Sequence, residues 1–147
     1  MVNHNDSNHS NHSNHSYTVM FFIMIISGLL TTMNVWVDSI SDVRFSINDL
    51  YMTMLMTGWM FTLMGLYYKQ HNVFLFGIIL CIFNFWCIRS QFMVSQHQYL
   101  LGMLPHHSMA IHMSKKVLEN NNITDKTFIE NIINKQSDEI NFIKSNI

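Results

Sequence analysis

The sequence predicts an all-α protein: three transmembrane helices followed by a two-helix hairpin. Three observations predict it. Apolar residues make up 49% of the 147 and charged residues 12%, the latter about half the usual share of a soluble chain. Three long stretches without a single charge follow one another between Tyr17 and Ile88. Beyond residue 90 Lys and Glu return, and apolar residues fall at helical spacing instead of in unbroken runs. The formal charge of -1 gives no basic patch for nucleic acid, so lipid and small ligands are the partners to look for.

Residues 1–16 contain the repeat "NHSNHSNHS" and no apolar side chain after Val2. Such a tail is expected to be disordered. His4, His9, His12 and His15 either bind metal loosely or reflect the Asn-rich bias of an AT-rich genome. Residues 17–90 form the membrane region. "YTVMFFIMIISGLLTTMNVWV" (Tyr17 to Val37), "LYMTMLMTGWMFTLMGLYY" (Leu50 to Tyr68) and "VFLFGIILCIFNFWCI" (Val73 to Ile88) each approach the roughly 20 residues that cross a hydrocarbon core of about 30 Å. Tyr17, Trp36, Tyr51, Tyr67, Tyr68 and Trp86 sit near their ends, where aromatic rings prefer the interface. The first stretch has no basic n-region and no small-residue cleavage site, so it reads as a span and not as a signal peptide. Cys81 and Cys87 are six residues apart on one helix, too far to bridge, and read as apolar filler. Arg44 and Arg89 flank one side and Lys69 the other, too small a bias to orient the protein, so the side of the C-terminal segment stays open.

Residues 91–147 are expected to form the hairpin. Its first helix spans Ser95 to Leu118, stopped by "ENNN". Its second begins near Thr124, a fair N-cap with Asp125 in the first turn, and carries the stripe Ile129, Ile132, Ile133, Ile140 and Ile143. Gln136 interrupts that stripe and needs a polar partner. The first helix holds "GMLPHHSMAIHM" (Gly102 to Met113), with the only Pro and the only Ala of the chain. At about 100° per residue, Met103, His106, His107, Ala110 and Met113 share about 120° of arc, with His112 opposite. Thioether and imidazole together suit Cu(I). Ala110 leaves room beside them, and Pro105 removes a backbone donor and bends the helix. The two histidines point about 100° apart and do not easily chelate one ion from one helix. On these residues alone, a metal site and a Met-rich core face both remain open.

"YLLGMLPHHSMAIHMSKKVLE" followed by "IINKQSDEI" resembles the family known as domain of unknown function 305. Its pattern is Met-x-x-His-His-x-x-Ala-x-x-Met, then Gln-x-x-Glu-Ile on a second helix. Met103, His106, His107, Ala110, Met113, Gln136, Glu139 and Ile140 fall on that pattern, and Pro105 precedes the His pair as in the family. "IRSQFMVSQHQYLLGMLPHH" is similar to a membrane subgroup with three spans ahead of the motif. The resemblance implies a ferritin-like hairpin and, for some members, copper binding or tolerance. Two departures stand out. Ile143 occupies a position where members often have Met, and soluble members have two hairpins where this chain has one.

The function expected is therefore that of a multi-pass membrane protein whose hairpin binds Cu(I) in copper handling. Met103, His106, His107 and Met113 are its candidate ligands, with Gln136 and Glu139 behind them, and the hairpin is expected to pair in a homodimer. No nucleophile–base set or phosphate loop is visible, so an enzyme is not expected. Two alternatives remain. One is a structural membrane protein with a vestigial hairpin. The other is a copper-uptake-like transporter, suggested by the stripe Met56, Met60 and Met64. The third span, however, carries the single glycine Gly77 and no Gly-x-x-x-Gly.

Overall fold

A computed structural model describes residues 7–119 and 125–147, with residues 7–16 as backbone alone. Five helices follow in order: α1 Ser7–Leu30, α2 Ile47–Tyr67, α3 His71–Ser90, α4 Gln96–Leu118 and α5 Lys126–Lys144. Between α1 and α2 lie two short 3-10 turns, Met33–Trp36 and Ile40–Asp42. No strand occurs among the described residues.

The tail expected to be disordered falls only partly within the described residues. Its first six residues, His4 included, lie outside the described residues, but the helix begins at Ser7. Ser, Asn and His are only mildly unfavourable in a helix. Once the apolar stretch has nucleated α1, extending it backward needs no second nucleus. The same helix ends early, at Leu30. There the Thr31 hydroxyl donates to the Ser27 and Gly28 carbonyls at 3.0 and 3.2 Å, drawing off acceptors of the last turn.

Two segments are long and apolar enough to cross a bilayer, Tyr17–Trp36 and His71–Ser90. The expectation of three is thus met by two. α2 is as long but carries Asn48 and Asp49 in its first turn and a face of Thr53, Thr57, Gly58, Thr62 and Gly65. These small and polar residues explain the shortfall, because they are packing surface: Gly58, Thr62 and Gly65 meet α3, and Thr53 meets Gly28 of α1. A Cβ on Gly65 would run into the backbone of Phe74, and one on Gly77 into the backbone nitrogen of Thr62. A Cβ on Gly58 would lie 2.8 Å from Cys81 Sγ. Only hydrogen at these positions lets the two helices approach so closely. The threonines satisfy themselves within α2: Thr57 Oγ1 donates to Thr53 O and Thr62 Oγ1 to Gly58 O, both at 2.9 Å. Asn84, buried on α3, donates to Leu80 O at 2.8 Å. Cys81 and Cys87 are buried and unbridged.

α1 packs on α2 through Gly28 beside Thr53, and through Tyr17 and Phe21, whose rings lie 6.3 and 6.1 Å from that of Phe61. All three helices expose large apolar side chains outward, among them Phe22, Ile23 and Ile26, then Trp59, Leu63 and Leu66, then Ile79, Ile82 and Phe83. α4 and α5 form the expected hairpin around a core of Leu104, Ile111, Ile140 and Ile143, with Leu100, Met103 and Ile133 packed against it. Its caps follow the sequence closely. The Ser95 side chain accepts from Gln98 N at 3.3 Å. Asp125, rather than Thr124, caps α5 by accepting from Phe128 N at 3.2 Å. Thr124 itself lies outside the described residues.

Candidate functional site

α4 presents two working faces. One looks across the hairpin at α5. The other looks at the segment joining α1 to α2.

On the seam face, His107 is nearly buried, its side chain 12% exposed, and its Nδ1 lies 2.9 Å from Glu139 Oε2 on α5. The contact is close but not in line for a hydrogen bond, and Nδ1 otherwise has no partner. Gln136 sits one turn earlier on α5, and its buried Oε1 is also without a partner. Two orphaned polar atoms in one seam are unusual, because such groups are almost always satisfied. Met103 precedes His107 by one turn on the same face and packs against the hairpin core. His106 is exposed, its ring centroid 5.9 Å from that of His107 and the planes 70° apart. Met113 is exposed as well. α4 is unbroken from Gln96 to Leu118, so Met103 and Met113 stand about 15 Å apart along the axis at 1.5 Å per residue. They cannot share one ion. The structure therefore brings His107 and Glu139 together, keeps Met103 and Gln136 in the same seam, and leaves His106 and Met113 on open surface. Ala110 is half-buried, and Pro105 is buried within the continuous helix.

The donors fit a soft ion in part. Among the described residues no group of three or more His, Cys, Asp or Glu comes together. The thioether of Met103 is a further donor type in the same seam. A carboxylate beside one ring nitrogen of a histidine orients the ring and leaves the other nitrogen to bind. Glu139 stands in that position to His107. Ile143, where the resemblance leads one to look for Met, is a buried core residue.

The second face was not legible in the sequence. Ser108, fully buried, donates from Oγ to Asp42 Oδ2 at 2.6 Å and accepts from Asp38 N at 2.9 Å. Lys115 pairs with Asp38 at 2.6 Å, and Lys144 at the end of α5 pairs with Asp42. Burial pushes the Asp42 carboxyl up, but the hydrogen bonds from Lys144 and Ser108, with the charge of Lys144, outweigh it and hold the group below its ordinary value. Nearby, Ile47 N, at the start of α2, donates to Gln98 Oε1 on α4 at 2.9 Å. Ser46 N and Oγ both donate to Asp49 Oδ2, at 2.8 and 2.9 Å. One signal could have found this cluster: Asp38 and Asp42 are acids in a short linker between two apolar stretches, where a carboxylate needs a partner.

Residues 90–146 match the family described as a domain of unknown function (DUF305). Over 135 residues the chain is 38% identical to uncharacterized protein L153 of Acanthamoeba polyphaga mimivirus, which covers 86% of this chain and 88% of that protein. No solved structure matches the chain.

Proposed function

Since the chain belongs to one family with uncharacterized protein L153 and carries the domain of unknown function over its hairpin, we propose that it is a three-span membrane protein whose ferritin-like hairpin binds Cu(I) in copper handling or tolerance.

Support for three spans comes from how α2 lies. It runs antiparallel to α3 with Gly58 against Cys81 near the middle and Gly65 against Phe74 near the turn. A helix locked along a spanning partner crosses with it. Its polar face meets α3, while Trp59, Leu63 and Leu66 face outward as lipid contacts.

The observation that carries the metal reading is His107 Nδ1 beside Glu139, with the orphaned Gln136 Oε1 in the same seam. Glu139 orients the imidazole, Met103 supplies a thioether from the preceding turn, and His106 offers a second imidazole from the surface. Bound Cu(I) would supply soft-ligand capture and nothing the residues must activate. The open surface at His106 and Met113 is where a second hairpin would add donors, and a homodimer through this face belongs to the same proposal.

The test is metal binding by the purified full-length protein. Cu(I) is expected to bind in preference to Zn(II), and Met103→Leu, which keeps volume and removes the sulfur, should weaken it. Zinc binding as strong as copper binding, or indifference to both Met103→Leu and loss of the His106/His107 pair, would remove the assignment. One observation favours the structural alternative: Ile143 fills the core at a position where a ligand Met is expected. In that case full-length protein binds neither ion in the hairpin. The transporter reading draws on Met56, Met60 and Met64; Met56 and Met60 are each 42% exposed, with Met56 beside Gly28 of α1, and Met64 is half-buried. It predicts copper flux in vesicles.

A further inference from the structure

The segment between α1 and α2 is built inside out. Asn34 closes it, donating from Nδ2 to Arg44 O at 2.7 Å and accepting from Arg44 N at 2.9 Å. Its two carboxylates turn toward the hairpin, while Ser39 and Ser41 stay exposed on either side of Ile40. Asp42 is buried against Ser108 and Lys144, and Asp38 pairs with Lys115. Its apolar groups point away: Ile40 is 90% exposed, Val35 64%, Trp36 and Phe45 55% each. Ile40 and Asp42 belong to one three-residue turn, so holding the carboxylate under α4 forces the isoleucine outward. A loop facing water has the opposite arrangement.

We infer that residues 33–45 form a collar inserted in the bilayer surface, with Ile40, Trp36 and Phe45 in the headgroup and upper acyl layer. Two observations name lipid as the occupant. First, the apolar part of α1, Tyr17 to Leu30, rises about 21 Å at 1.5 Å per residue, short of a hydrocarbon core of about 30 Å. The chain beyond Leu30 has to supply the remaining depth. Second, the collar continues an existing rim. The end of α3 is held beside the start of α2 by Tyr51 Oη donating to Phe92 O at 2.8 Å and Asn48 Nδ2 to Gln91 Oε1 at 3.2 Å. Trp86 and Phe92 lie there, exposed, with ring centroids 5.3 Å apart. Trp36, Phe45, Trp86 and Phe92 thus ring the same end of the helical bundle, as interfacial aromatics do. The latch of Asp38 and Asp42 then seats the hairpin directly over the lipid surface.

The inference rests on the membrane reading, and one experiment separates the two. The full chain carrying Trp36→Phe, Trp59→Phe and Trp86→Phe is placed in phosphatidylcholine vesicles with a single new tryptophan: Ile40→Trp, Ile79→Trp on α3, or Phe142→Trp on the outer face of α5. The Ile40 probe is expected to be quenched by phosphatidylcholine brominated high on its acyl chains. Acrylamide should quench it at least about three-fold less than the Phe142 probe. If the Ile40 probe behaves as the Phe142 probe while the Ile79 probe is lipid-quenched, the collar is wrong and the spans stand. If the Ile79 probe is also open to acrylamide, the membrane reading itself fails. If the Ile40 probe is shielded from both quenchers, a protein covers the collar and lipid insertion is overturned.

Discussion

Glu139 on α5 places its Oε2 2.9 Å from Nδ1 of His107 on α4, across the hairpin seam. The contact is not in line for a hydrogen bond as it stands; a ring turned into line would donate from Nδ1 to Glu139 and leave Nε2 to bind an ion. Glu139→Gln should therefore weaken Cu(I) binding about 10-fold, and His107→Ala should weaken it further. Competition against a chromophoric Cu(I) chelator measures both. Affinities equal to wild type in both variants would take this pair out of the site.

Gln136 gives a test with two readouts of opposite sign. Its Oε1 is buried with no partner, and an unsatisfied buried acceptor is destabilising by about 1–3 kcal/mol. Gln136→Leu should raise the stability of the metal-free hairpin by about 1 kcal/mol or more, because it completes the Ile stripe. The same change should lower copper affinity about 10-fold if the amide steadies a ligand. Denaturation followed by helical circular dichroism reads the first effect and chelator competition the second.

Asp42 sets an acid limit on the latch between hairpin and collar. Its folded carboxyl lies below the ordinary value, so charged Asp42 stabilises the fold at neutral pH. That contribution is complete above the unfolded value of about 3.9 and is lost as pH falls through the folded one. The latch should hold from neutral pH down to about 4 and open in stronger acid. Lys144→Gln removes the largest lowering influence and leaves burial, so opening should move to higher pH. Amide exchange of residues 38–45 against pH reads the shift. An unchanged profile in Lys144→Gln would dismiss the pairing.

Gly65 and Gly77 are the tightest points of the α2–α3 contact. Gly77→Ala puts a methyl group into the backbone of α2, and overpacking of this kind is destabilising by about 1–3 kcal/mol or more. Both Gly65→Ala and Gly77→Ala should lower resistance to unfolding in mixed micelles. Wild-type resistance in both would mean the helices do not meet as closely as described.

The proposed three crossings would fix which loops share a side. The turn at Lys69 and the N-terminal tail should lie opposite the collar and the hairpin. Single cysteines at Lys69 and Phe142, in Cys81→Ala/Cys87→Ala protein, should react with an impermeant maleimide from opposite faces of sealed vesicles. Labelling of both from one face would rule out an odd number of crossings between them.

The two helices of the hairpin were readable in their approximate ends and in the apolar stripe of α5. Those ends, the Ile stripe and the odd position of Gln136 follow from a 3.6-residue period and cap chemistry, which act over one or two turns. The long apolar helices were readable less well, because apolar content says little of how a face meets a neighbour. α2 hides Thr and Gly against α3, so its composition understates its length as a packed helix.

Spacing along α4 also grouped residues that distance along the axis separates. Met103 and Met113 fall within one broad arc of the helix, about 80° apart, but lie about three turns apart, whereas His107 finds Glu139 through a fold contact between helices. The latch was least legible of all. Asp42 and Ser108 are 66 positions apart, and no local period links them. The chain alone sets which faces of each helix are apolar, because side-chain direction follows from backbone geometry. The partners of Asp42 and Ser108 are set only when distant segments close, because a buried carboxylate must find its donors wherever the packed chain puts them.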